Sequence, residues 1–120
     1  MNLELTDVFL RLGAAAVAGV ACLGYPFHGP GRPEEIRLAP LQNGLLPTLV
    51  LQGERDEFGS KDEVAGYTLS PAIRIHWMGD GDHSFKPRKA SGRTTKQNLA
   101  ESIATTAAFI HEVWGTQRGL

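Results

Sequence analysis

Residues 47–59 read PTLVLQGERDEFG, and this stretch decides the fold. Pro47 opens an apolar, β-branched run through Gln52, which predicts a strand. Gly53 to Gly59 is a polar turn, and Ser60 is placed to cap a short helix over KDEVAGYTL. Two flanking segments repeat the strand signal. Val17 to Leu23 is small, apolar and uncharged, which predicts a strand covered on both faces as in a parallel sheet. Ala72 to Met78 (AIRIHWM) alternates, with Ile73, Ile75 and Trp77 on one face and Arg74, His76 and Met78 on the other. That pattern suits a strand with one more exposed face at a sheet edge.

Helical segments fill the gaps. Residues 2–12 place Leu3, Leu5, Val8, Phe9 and Leu12 at mostly helical spacing. Glu34 to Ala39 reads as a short helix started by Pro33 and stopped before Pro40. Thr94 or Thr95 caps a last helix that runs to about Trp114. Its expected core stripe is Leu99, Ile103, Thr106 or Ala107, Ile110 and Val113 or Trp114. Strands that alternate with helices imply an α/β fold with three mostly parallel strands.

The 120-residue chain is the size of one small domain. Twelve basic and thirteen acidic residues give a net charge of -1, which argues against a protein that coats nucleic acid or an anionic membrane. One cysteine excludes an intrachain disulfide. No apolar run approaches the roughly 20 residues of a membrane helix. Near the start, Glu4 and Asp7 outweigh Arg11, the wrong sign for a secretory leader, so a cytoplasmic location is expected.

In open parallel sheets, functional groups gather on the loops after the carboxyl ends of strands. Three such loops carry candidates: YPFHGPGRP with His28, GERDEFG with Asp56, and GDGDHSFKP with His83. An Asp past one strand and a His past the next can meet at one rim, where the carboxylate orients the imidazole as a general base. The spacing of Asp80, Asp82 and His83 fits no EF-hand or zinc pattern, so neither a metal nor a cofactor is expected. The run KPRKASGRTTK reads first as a solvated loop, with an anionic substrate group as its other use. It lacks the interleaved aromatics of a nucleic-acid surface.

The strings CLGYPFHGPGRPEE, TLVLQGERDEFGSKDEVAGY and GDGDHSFKPRKASGRT resemble the C-terminal half of bacterial α/β-hydrolases of the dienelactone-hydrolase-like group. More narrowly, they resemble the branch related to testis-expressed protein 30 and the third subunit of the NSL chromatin complex. The resemblance implies a partial α/β-hydrolase fold over residues 13–120, behind a divergent N-terminal helix at residues 1–12. It also implies that Asp56 is the triad acid and His83 the triad histidine of an ester- or thioester-type serine hydrolase; His28, from its loop position, is expected to line the substrate pocket. The family's nucleophile stands in Gly-x-Ser-x-Gly, a strained strand-to-helix turn that needs both glycines. None of Ser60, Ser70, Ser84, Ser91 or Ser102 stands in that setting. Cys22 has Gly24 after it but Val20 before it, and reads as a small hydrophobe. The chain is therefore expected to be inactive alone. Its expected partners are an ester-like small molecule once the site is completed, and a second copy or a separate N-terminal half. The alternative is a non-catalytic interaction module on the residual sheet.

Overall fold

The run predicted to decide the fold is a strand with all six residues buried, β2 (Thr48–Gly53). In this computed structural model, which describes residues 18–42 and 44–117, it lies between β1 (Val20–Leu23) and β3 (Ile73–Met78). Both pairings are parallel, with Val50 opposite Cys22 on one side and Ile75 on the other. The three-stranded parallel sheet is thus as the sequence predicts. The helix expected over residues 2–12 lies outside the described residues.

Alternation along β2 feeds two cores. Val50 joins Tyr25, Phe27, Leu41 and Val64, backed by Ile73, Ile75 and Trp77 of β3. Leu49 and Leu51 join Met78, Phe85, Phe109 and Val113 on the opposite face. Each such side chain contributes roughly 1.5–3 kcal/mol when fully buried, so β2 is the main thermodynamic anchor of the sheet.

Four expectations are corrected. Residues 34–38 are not helical, and the helix there is α1 (Ala39–Gln42). Pro40 falls in its first turn, where its missing N–H costs nothing. The helix after Ser60, α2 (Lys61–Val64), is one turn long, although Ser60 and Glu63 form a full capping box. Strand β1 is not covered on both faces: Leu23 is 67% exposed and Ala21 is also exposed.

The largest correction concerns the last helix, α3 (Thr95–Gln117). Thr94 caps it reciprocally: Gln97 N donates to Thr94 Oγ1 at 3.1 Å, and Thr94 N donates to Gln97 Oε1 at 2.9 Å. The face packed on the sheet carries Asn98, Ser102, Phe109 and Val113. Of the predicted stripe only the Val113 alternative is buried; the rest points away from the sheet core, with Ile103 71% and Ile110 57% exposed and Leu99 and Trp114 exposed beside them. Both stripes have helical spacing, and the true one contains two polar residues, so apolar periodicity picked the wrong face. Ser102 is tolerated inside because its hydroxyl donates to the Leu99 carbonyl at 2.7 Å.

Candidate active site

The turn after β2 and the loop after β3 meet at the carboxyl rim of the sheet. Gly53 is what lets them meet: a Cβ there would lie 2.2 Å from the Asp82 carbonyl oxygen and 2.4 Å from that of Gly81. Backbone bonds stitch the contact. Glu54 N donates to Met78 O at 3.2 Å and Arg55 N to Gly81 O at 2.9 Å. The Glu54 carboxylate accepts from Asp80 N at 2.7 Å, and that bond, first of all, holds its pKa below the ordinary 4.5.

This seam places the predicted acid and base together. Asp56 is wholly buried. Its Oδ1 accepts from Phe58 N at 2.8 Å, and its Oδ2 accepts from His83 Nδ1 at 2.8 Å. A carboxylate only accepts, so Nδ1 carries the hydrogen and the neutral ring presents the Nε2 lone pair. The His83 side chain is 43% exposed, and among the described residues no hydroxyl or thiol is hydrogen-bonded to it. Phe58 lies against one face of the ring, centroids 4.5 Å apart. Below the ring sits Gly24 at φ 83°, where a Cβ would stand 3.1 Å from His83 Cε1. Glycine there satisfies both the left-handed backbone and the close approach.

The loop bearing His83 is strained and held. Asp80 and Phe85 have φ of 52° and 65°, an uncommon conformation that costs energy for a bulky side chain. Asn98 of α3, fully buried, supports it by donating to Gly79 O at 3.1 Å and Phe85 O at 2.8 Å. Its own oxygen accepts from Arg93 Nε at 2.8 Å. Gln52 does the same for the first loop: Oε1 accepts from Tyr25 N at 2.7 Å, and Nε2 donates to Tyr25 O and Gly59 O, each at 3.1 Å. The sequence reading singled out neither amide. A polar residue ending an apolar strand was the available signal for Gln52. For Asn98 there was none, since Asn just after a helix start reads as solvent-facing.

The other candidates fall elsewhere. His28 is buried, with Nδ1 bonded to Gly29 O at 2.7 Å and Nε2 to Glu63 Oε2 at 2.9 Å. It joins the rim through its backbone, whose N–H donates to Phe58 O at 3.1 Å. Asp80 is turned to Arg88, which grips it with 2.6 Å and 3.1 Å contacts. That pairing lowers its pKa from 3.8 to about 2. Asp82 accepts from the Ser84 and Lys86 amides at 2.8 and 3.0 Å. Arg88 and Arg93 of the basic run are thus engaged with Asp80 and with Asn98 and Glu101, while Lys86, Lys89 and Lys96 are exposed. Burial raises the Cys22 thiol to about 11, which leaves almost no thiolate near neutrality.

The arrangement can move a proton. A fixed tautomer, a buried carboxylate behind it and an open Nε2 are the requirements of a general base. No helix among the described residues is long and apolar enough to cross a membrane. A family described as an alpha/beta hydrolase domain matches residues 8–111. No curated protein and no solved structure matches the chain.

Proposed function

The chain belongs to the α/β-hydrolase domain family, and from that premise we propose that Asp56 and His83 are the acid and base of a serine-hydrolase-type site for esters or thioesters. The nucleophile comes from outside this chain, which by itself is inactive. The supporting observation is the 2.8 Å bond from buried Asp56 to part-exposed His83, which leaves Nε2 facing outward with the basic tautomer set. His83 Nε2 takes the hydroxyl proton as the serine oxygen bonds to the acyl carbon. It then gives that proton to the departing alkoxide or thiolate, while Asp56 stays a carboxylate and stabilises the imidazolium. His28, expected at the substrate, acts in this reading through its loop: anchored by Glu63, it fixes residues 25–33 beside Phe58 and the histidine. The three strings quoted above support the dienelactone-hydrolase-like branch.

The test is reconstitution. The purified chain is expected to show no p-nitrophenyl butyrate turnover above that of His83→Ala, and no label from a fluorophosphonate. Mixed with a polypeptide bearing a Gly-x-Ser-x-Gly strand and helix, encoded upstream of Met1 or in an adjacent gene, it is expected to gain turnover. That gain should vanish in His83→Ala and fall by about 10⁴ in Asp56→Asn. Turnover indifferent to His83, or a folded mixture without turnover, overturns the reading. Absence of any such encoded element gives first place to the interaction module, which the exposed apolar side of α3 favours.

A further inference from the structure

The two flanks of α3 differ in chemistry. Toward β3 it carries charge: Glu101 takes His76 Nε2 at 2.8 Å and Arg93 at 3.2 Å, and Glu112 takes Arg74 at 2.8 Å. Toward β1 it carries Ile103, Thr106, Ala107 and Ile110, and Leu99 and Trp114 continue that stripe at helical spacing, with no charged side chain among the six. Together with Ala21 and Leu23 of β1, the middle of this stripe walls an open groove of about 490 Å³.

The stripe has an order that an ordinary exposed face lacks. Counted from the Thr106–Ala107 step, it reads the same outward in both directions: a small residue, then Ile at 103 and 110, then a larger apolar residue at 99 and 114. A two-fold contact requires that if one residue meets a second, the second meets the first across the axis. Two copies of α3 laid antiparallel meet that condition with Ile103 against Ile110 and Leu99 against Trp114. Thr106 and Ala107 sit at the crossing, where small side chains let helices approach closely.

We propose that this face docks a second copy of the same chain, α3 against α3 antiparallel about a two-fold axis through the Thr106–Ala107 step. Each copy's helix seats beside the other's groove over β1. The exposed stripe offers on the order of 500 Å² per copy, so a dimer buries roughly 1,000 Å², the lower edge of a specific interface. That size predicts a dimer that dissociates on dilution, not an obligate one. Glu101 and Glu112 lie on the other flank, already paired, so no like charges meet. Neither Asp56 nor His83 lines the groove, so the contact does not require the proton-transfer pair.

Sedimentation velocity of the full chain over a dilution series tests this. A reversible dimer is expected, weakened roughly 30-fold or more by Ile103→Glu, the effect of losing a central anchor. Circular dichroism checks that the variant is folded. Ala107→Arg, also at an exposed site, serves as the second variant. In a Cys22→Ala background, Ala107→Cys is expected to form an interchain disulfide under mild oxidation, while Ala104→Cys, one turn earlier and about a sixth of a turn farther round on the outer side, does not. A wild-type chain that is monomeric throughout overturns the proposal and leaves the groove to residues 1–17 or to a different chain. So does a dimer that survives both folded variants, or equal cross-linking at 104 and 107.

Discussion

At the carboxyl rim, where the loops after β2 and β3 meet, backbone approaches backbone to the limit that glycine allows, and Gln52, Asn98 and Asp56 are each hydrogen-bonded within the fold. Along the flank between β1 and α3, isoleucine and leucine side chains face outward and an open groove runs beside them. One sheet carries both. The difference teaches that the described residues can bring a buried carboxylate and a histidine together without covering their own flank. The site depends on two loops held by local bonds, whereas covering the flank demands apolar area that these three strands and one long helix do not supply.

The rim should be the side that tolerates least. Gly53→Ala pushes a methyl group into two backbone carbonyls that cannot turn away, so the two loops must part. We expect a loss of about 3–5 kcal/mol in urea unfolding. A loss below about 1 kcal/mol would show that the seam is loose in solution. The helix then offers a comparison within one element. Phe109→Ala, on the buried face, is expected to cost about 3–5 kcal/mol. Ile103→Ala, six residues earlier on the outer face, is expected to cost less than about 1 kcal/mol at protein concentrations where the chain is monomeric. Equal costs would mean that the outer stripe is already covered. The smallest effect is electrostatic. The Asp80 carboxyl lies at about 2 in the folded chain against an ordinary 3.8. A folded value below the unfolded one gives stability that is present above pH 3.8 and is lost as pH falls toward 2. Glu54 and Glu63, also lowered, share that sign. Asp80→Asn should therefore flatten the acid limb of a melting-temperature profile and leave its slope unchanged above pH 6.

The sheet was legible because its signal is dense. Residues 48–51 are consecutive, apolar or β-branched, and followed by Gln52 and a glycine turn, and periodicity of two on β3 assigned its faces as observed. The acid and histidine were legible because loop position after successive parallel strands limits where they can go. What escaped reading depended on three-dimensional partners. The inner face of α3 is decided by Asn98 and Ser102, whose polarity hides their burial. Its outer face looks like a core stripe because apolar periodicity records that a surface is to be covered, not by what. The 34–39 segment was misread for a local reason: an acidic turn after proline resembles a helix start, but the chain stays non-helical until Pro40 can occupy a first helical turn.

Phe109 and Val113 pack at the opposite end of α3 from Asn98, beside Gly19 at the entry to β1 and the Pro47 carbonyl. The long helix is thus the cover for the entry to β1. Until α3 packs, Leu49, Leu51 and Met78 have only Phe85 and Ala18 beside them on that face, and each parallel pairing must close a loop of roughly 25 residues with no hairpin to guide it. The chain therefore holds a largely bare apolar sheet face until this helix docks. Holdase chaperones, which bind exposed apolar strands, have their window on this protein before the helix docks, not after.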